Sequence, residues 1–256
     1  MQPLLEVEGL KKTYPGFQLN GVSFSIYEDC ITGFIGANGA GKTTTIRSIL
    51  HLISHEAGTI KFKGKDISKT EKSFKDSIGV VFDEGFFYDE LTLTQMKNLI
   101  ASSYSHWDNG AYTHYLDAFS LRPDQTISSL SRGMKMKFSL ALALSHHAEL
   151  LIMDEPTSGL DPLVRKQFIE ILKEFMDQGG KAVFYSTHNT SDLDKAADML
   201  VMIDNGKILF EEDKDMLLET HRLVKGKGLL PAETEKLFLK VEQTKYGFTG
   251  VTNQVE

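Results

Sequence analysis

Apolar and polar residues alternate with period two in Leu4–Leu10 and again in Val22–Tyr27. That spacing predicts two strands, each with one buried face, and Pro15-Gly16 between them predicts a turn. Ile31–Ile35 is a short apolar strand that runs straight into a glycine-rich segment, and the following residues predict a helix over Thr43–Ile53. Thr59–Phe62 and Ile78–Phe82 read as further strands. From Glu84 to His147 the period changes, and Met96–Tyr104, Tyr112–Phe119 and Gly133–Ser145 carry apolar residues at helical spacing. Alternation then resumes as strand Leu150–Met153, helix Pro162–Met176, strand Ala182–Tyr185, helix Ser191–Ala197 and strands Leu200–Ile203 and Lys207–Phe210. Strands alternating with helices predict an α/β fold with a mostly parallel sheet. The expected organisation is an antiparallel β subdomain first, then the α/β core carrying a helical insertion over about 84–148, all within 1–212. A small C-terminal extension, 213–256, follows, with a helix near Asp213–Glu219 and a Lys- and Gly-rich stretch at Lys225–Gly228.

Composition narrows the class. The chain has 256 residues, 41% hydrophobic and 25% charged, enough for a sizeable core. A formal net charge of −7 supplies no basic footprint, so no nucleic-acid partner is expected. Cys30 is the single cysteine, which precludes an intramolecular disulfide and suits a reducing compartment. Met1–Lys12 lacks a basic start followed by an apolar block, so no signal peptide is expected. Apolar runs such as Leu140–Leu144 fall far short of the roughly 18 residues that span a bilayer. Membrane contact is therefore expected only through a partner.

Chemistry concentrates at two places. Gly36-Ala37-Asn38-Gly39-Ala40-Gly41-Lys42-Thr43 has the P-loop spacing, and Thr44 follows it. Glycines let backbone N–H groups curl around phosphate, and the helix that follows offers its positive end. Lys42 would reach the β- and γ-phosphates, and Thr43 would offer its hydroxyl to Mg²⁺. The competing explanation, a chance glycine-rich turn, does not account for its place between a predicted strand and a predicted helix. Leu150–Met153 then ends in Asp154-Glu155. Beside a P-loop, Asp154 would hold the Mg²⁺ shell and Glu155 would polarise the attacking water as general base. A nucleoside triphosphate with Mg²⁺ is the expected ligand, and a P-loop alone leaves kinases and GTPases open.

The order of further motifs decides the class of P-loop NTPase. Leu130-Ser131-Arg132-Gly133-Met134 resembles the ABC signature, Ser158-Gly159-Leu160-Asp161 the D-loop, and His188 the switch histidine. Tyr14 stands where ABC ATPases place an aromatic that stacks on adenine. Trp107-Asp108 and the run that starts at Gly133 resemble the bacterial ABC-2-type exporter branch, which serves bacitracin-type resistance and amphipathic-peptide export. The resemblance covers residues 4 to 210. It implies an ATPase in which Glu155 and His188 are catalytic. Ser131 and Gly133 would face the γ-phosphate bound on a second ATPase subunit, either another copy or a sister chain. It also implies a separate transmembrane permease, a peripheral location on the cytoplasmic side of the membrane, and a peptide, antimicrobial or lipid-like cargo. Ser131 would in any case serve as a helix N-cap.

Three positions depart from the family pattern. Asp83 stands where glutamine is usual; it keeps an oxygen for Mg²⁺ but adds charge and loses the amide donor. Asp29 replaces a turn glycine, and aspartate tolerates left-handed geometry. Arg132 replaces a signature glycine, and its side chain is expected to leave toward solvent. Two rival classes are weaker. DNA- or ribosome-acting ABC ATPases carry a long coiled-coil insertion or fused ATPase domains, and a dead regulatory module would not keep Lys42, Asp154, Glu155 and His188.

Overall fold

The computed structural model describes residues 2–83 and 86–254. In chain order the first half runs β1 (Pro3–Tyr14), β2 (Phe17–Tyr27), β3 (Cys30–Ile35), α1 (Lys42–Ile49), β4 (Ala57–Phe62), β5 (Lys65–Asp66), α2 (Glu71–Asp76) and β6 (Ile78–Phe82). Three helices follow: α3 (Leu93–Ala101), α4 (Asn109–Ala118) and α5 (Arg132–Leu144). Next come β7 (Leu150–Asp154), α6 (Pro162–Met176), β8 (Ala182–Thr187), α7 (Thr190–Ala196), β9 (Met199–Asp204) and β10 (Lys207–Asp213). The chain ends with α8 (Lys214–Thr220), β11 (Arg222–Lys227), α9 (Ala232–Glu235), β12 (Lys240–Thr244) and β13 (Gly247–Thr252). It divides into two compact units, Met1–Glu211 and Glu212–Glu256.

Within the first unit, β1 and β2 close an antiparallel hairpin through Pro15-Gly16, with Tyr14 opposite Phe17, and β4 and β5 extend it. The alternation read from the sequence is the burial pattern here: Leu5 and Val7 of β1 and Val22, Phe24 and Ile26 of β2 are all within 3% of full burial. Their inner face packs on a six-stranded sheet of order β10-β9-β3-β8-β7-β6. Phe24, Phe34 and Phe184 meet at the junction with ring centroids 5.1 to 5.5 Å apart. Each such fully buried ring contributes about 1.5–3 kcal/mol of burial free energy. The mostly parallel sheet, the antiparallel N-terminal sheet and the helices between the P-loop and the acidic strand are all as expected.

The parallel neighbours β9, β3, β8, β7 and β6 determine where chemistry can occur. Their C-terminal ends share one edge, so Asp83, Asp154-Glu155, Gly36 and His188 all emerge there. Ligands of open α/β sheets bind along this edge.

Two features differ from the sequence expectation. Helix α1 stops at Ile49, four residues short of Ile53, because His51 adopts a left-handed conformation (φ 54°) and the amides of His51 and Leu52 bond back to Ser48 and Arg47. This double closure satisfies the last carbonyls and turns the chain away. The C-terminal unit holds an antiparallel sheet of order β11-β13-β12, whereas the sequence pointed only to its helix. Gly250 lies under the Phe238 ring, where a Cβ would come within 2.5 Å of Cδ1, and these strands bury few side chains, so no alternation marks them.

Candidate active site

Two positions of the loop from β3 into α1 require glycine. Gly41 holds φ 118°, and a Cβ on Gly36 would come within 2.6 Å of the Ile203 carbonyl oxygen. Lys42 is 5% exposed. Its Nζ donates to the carbonyls of Gly36 (2.7 Å) and Ala37 (3.3 Å) and lies 3.1 Å from Glu155 Oε1. That last contact is an ion pair without hydrogen-bond alignment.

At the end of β7, Asp154 is buried and its Oδ1 accepts a hydrogen bond from Ser186 Oγ at 2.7 Å. Among the described residues, its Oδ2 takes none. Glu155 has a left-handed backbone (φ 49°), and its amide bonds to Ser186. The resulting bend places its carboxylate between two side chains: Oε1 faces Lys42, and Oε2 lies 2.8 Å from His188 Nδ1. Lys42, Glu155 and His188, expected from three separate motifs, thus form one contiguous chain of contacts.

A cleft of about 520 Å³ opens beside them, lined in part by Asn38, Gly39, Lys42, Thr43, Thr44 and Glu155. Ala40, within the loop, is buried and does not line the cleft. Phe17, Gly16 and Asn205 also line the cleft, and sequence reasoning did not single them out. Phe17 stands three residues from Tyr14 across the same turn. Tyr14, 40% exposed, is not among the lining residues, and Lys12 Nζ sits 5.4 Å from its ring centroid. Ser186, which orients Asp154, was also missed; its only signal is its place two residues before His188.

The signature lies elsewhere. Ser131 caps α5, its Oγ accepting from the Met134 amide at 3.3 Å, and Gly133 faces Val164 of α6. Neither lines the cleft. Asp83 is paired with Arg132, whose guanidinium therefore turns to the loop after β6 and not freely to solvent. Asp29 takes the left-handed turn conformation expected of it (φ 57°).

The loop between β3 and α1 and the sheet around it have the architecture of a P-loop NTPase, and comparison with known proteins resolves the family. Residues 19–158 match the family model described as ABC transporter. The bacitracin transport ATP-binding protein of Bacillus licheniformis is 31% identical over 87% of this chain and 74% of its own length. The linearmycin resistance ATP-binding protein of Bacillus subtilis is 32% identical over 80% of this chain and 68% of its own. A solved structure of an ATP-binding subunit of an ABC transporter superimposes with TM-score 0.76 at 28% identity, covering 84% of this chain and 91% of that one. The chain belongs to the ABC transporter family as an ATP-binding subunit, and it is an ATPase.

Proposed function

We propose that this chain is the motor subunit of an exporter, hydrolysing MgATP between two ATPase subunits and passing the resulting motion to a separate permease. The observation that carries this reading is the Lys42–Glu155–His188 contact chain at the P-loop, with the Ser131 helix terminus outside that cleft. A helix N-terminus is a natural phosphate site, so a second subunit's signature would complete the pocket.

The oxygen donors fit Mg²⁺. Thr43 is exposed and lines the cleft, and one carboxylate oxygen of Asp154 has no hydrogen-bond partner among the described residues. Hard oxygen donors of this kind suit that ion. Bound there, Mg²⁺ would supply charge neutralisation at the phosphates. The remaining work falls to the chain. An incoming triphosphate competes for Lys42, which loosens Glu155 from its cationic neighbour. Glu155 is then available to accept the proton of the attacking water, and His188 holds the second carboxylate oxygen in place.

Two further observations support a membrane partner. No helix among the described residues is long and apolar enough to cross a membrane. An apolar groove of about 640 Å³, lined in part by Leu50, Leu52, Val80, Phe82 and Tyr104, lies beside the loop bearing exposed Phe86. A permease helix on the cytoplasmic face would bury it. The names of the two Bacillus relatives support a peptide, antimicrobial or lipid-like cargo.

Size-exclusion chromatography of Glu155→Gln tests the reading. With MgATP the variant should run as a dimer, because the near-isosteric amide spares binding while the base is lost. A variant that stays monomeric and turns over at the wild-type rate would exclude the proposed role of Glu155.

A further inference from the structure

Arg132 and Asp83 each depart from the family pattern, and the fold brings them together. The Arg132 guanidinium donates to the Asp83 carboxylate across a sequence separation of 49. The same guanidinium covers Gly159 in the loop after β7, where a Cβ would lie 3.0 Å from Arg132 Cζ and where φ is +66°. Arg132 is the first residue of α5, immediately after the cap Ser131. One planar group therefore joins three segments: the first turn of α5, the exit of β6 and the loop that follows Glu155.

Register gives the junction its meaning. Phe82 pairs with Asp154 across β6 and β7, so Asp83 is one residue beyond the strand position of the buried carboxylate. The far end of α5 is held to the same strand, with His146 Nε2 lying 2.9 Å from the Ile78 carbonyl oxygen. The geometry points to Arg132 as a positioning residue that, through Asp83 and the Gly159 loop, fixes the first turn of α5 against the strand ends carrying Asp154 and Glu155. This rests on the reading of the cleft as the ATP-hydrolysing site. Both side chains are more than a third exposed, so the pair adds little to global stability. Its consequence is alignment, because one rigid planar group bonds Asp83 through Nη2 while its Nη1 side lies over Gly159.

The test is a double-mutant cycle on the full chain: Arg132→Gln, Asp83→Asn and the double variant, with kcat and KM for ATP and a Mg²⁺ titration for each. Either single change should lower kcat about fivefold while KM stays within about twofold, because the Lys42 cradle is untouched. The double variant should be no slower than the slower single. Arg132→Lys, which keeps the charge and loses the second arm over Gly159, should fall between wild type and Arg132→Gln. Additive losses, or singles indistinguishable from wild type, would overturn the inference. So would an Asp83→Asn variant that needs more Mg²⁺ in both backgrounds, which would make Asp83 a metal ligand instead. Lys42→Ala separates this failure from a wider one. If turnover survives that change, the cleft is not the ATPase site; if turnover is abolished while the cycle is additive, only the positioning role fails.

Discussion

At the scale of single residues, Glu155 combines a backbone penalty with a chemical position. A left-handed conformation costs a non-glycine residue about 1–2 kcal/mol, and here the bend is what sets the carboxylate between Lys42 and His188. Beyond the dimer it should trap, Glu155→Gln should slow steady-state hydrolysis by on the order of a hundredfold, read by phosphate release, with ATP affinity retained. Lys42→Ala should weaken ATP binding by more than about fivefold, since a charge-assisted contact exceeds 1 kcal/mol. Calorimetric titration checks this, and affinity within twofold of wild type would mean that the lysine does not reach the phosphates. The identities of Lys42 and Glu155 were legible because a P-loop and an acid-ended strand are local patterns. The hold of Ser186 on Asp154, and of Asp83 on Arg132, joins residues 32 and 49 positions apart, and no local pattern encodes such pairs.

Among the elements, α5 depends most on close packing against its neighbour. A Cβ on Gly79 would come within 2.7 Å of the Ala143 carbonyl oxygen, so β6 and α5 approach at a distance only glycine permits. Gly79→Ala should cost about 1–3 kcal/mol in chemical denaturation, the usual range for overpacking, and an unchanged midpoint would contradict that contact. His146 seals the same interface, buried between the carbonyls of Leu142 and Ile78 and stacked on Tyr104 at 3.8 Å. Burial pushes its pKa below the usual histidine value, against the opposing pull of the two carbonyls. The unfolded chain therefore takes up this proton more readily than the folded one. The stability that neutral His146 contributes is full above the ordinary histidine pKa of about 6.5 and is lost as pH falls toward the lower folded value. The stability gap between wild type and His146→Gln should accordingly narrow from pH 8 to pH 5 in parallel melts. A gap that widens in acid would reverse the sign.

For the whole molecule, the two compact units make a simple prediction. A chain ending after Asp213 keeps β10 whole and removes the small sheet of the second unit. Every residue lining the cleft beside the P-loop stays. Its ATP affinity should remain within about twofold of the full chain, because the residues that line the cleft are all retained. A larger loss would tie the C-terminal unit to nucleotide binding.

The sequence by itself determined the class of fold, the P-loop, the acidic strand end and the cap at Ser131, because each depends on residues adjacent along the chain or repeating with a helix or strand period. It also carried the order of motifs that marks the family. Tertiary structure alone decided the rest. The parallel register placed five strand ends on one edge, and the bend at Glu155 brought Lys42 and His188 to one carboxylate. It brought two unusual residues, Asp83 and Arg132, together. It also made a sheet of a lysine- and glycine-rich tail. These outcomes depend on which distant segments pack against one another, and packing is a property of the folded core and not of any stretch of sequence.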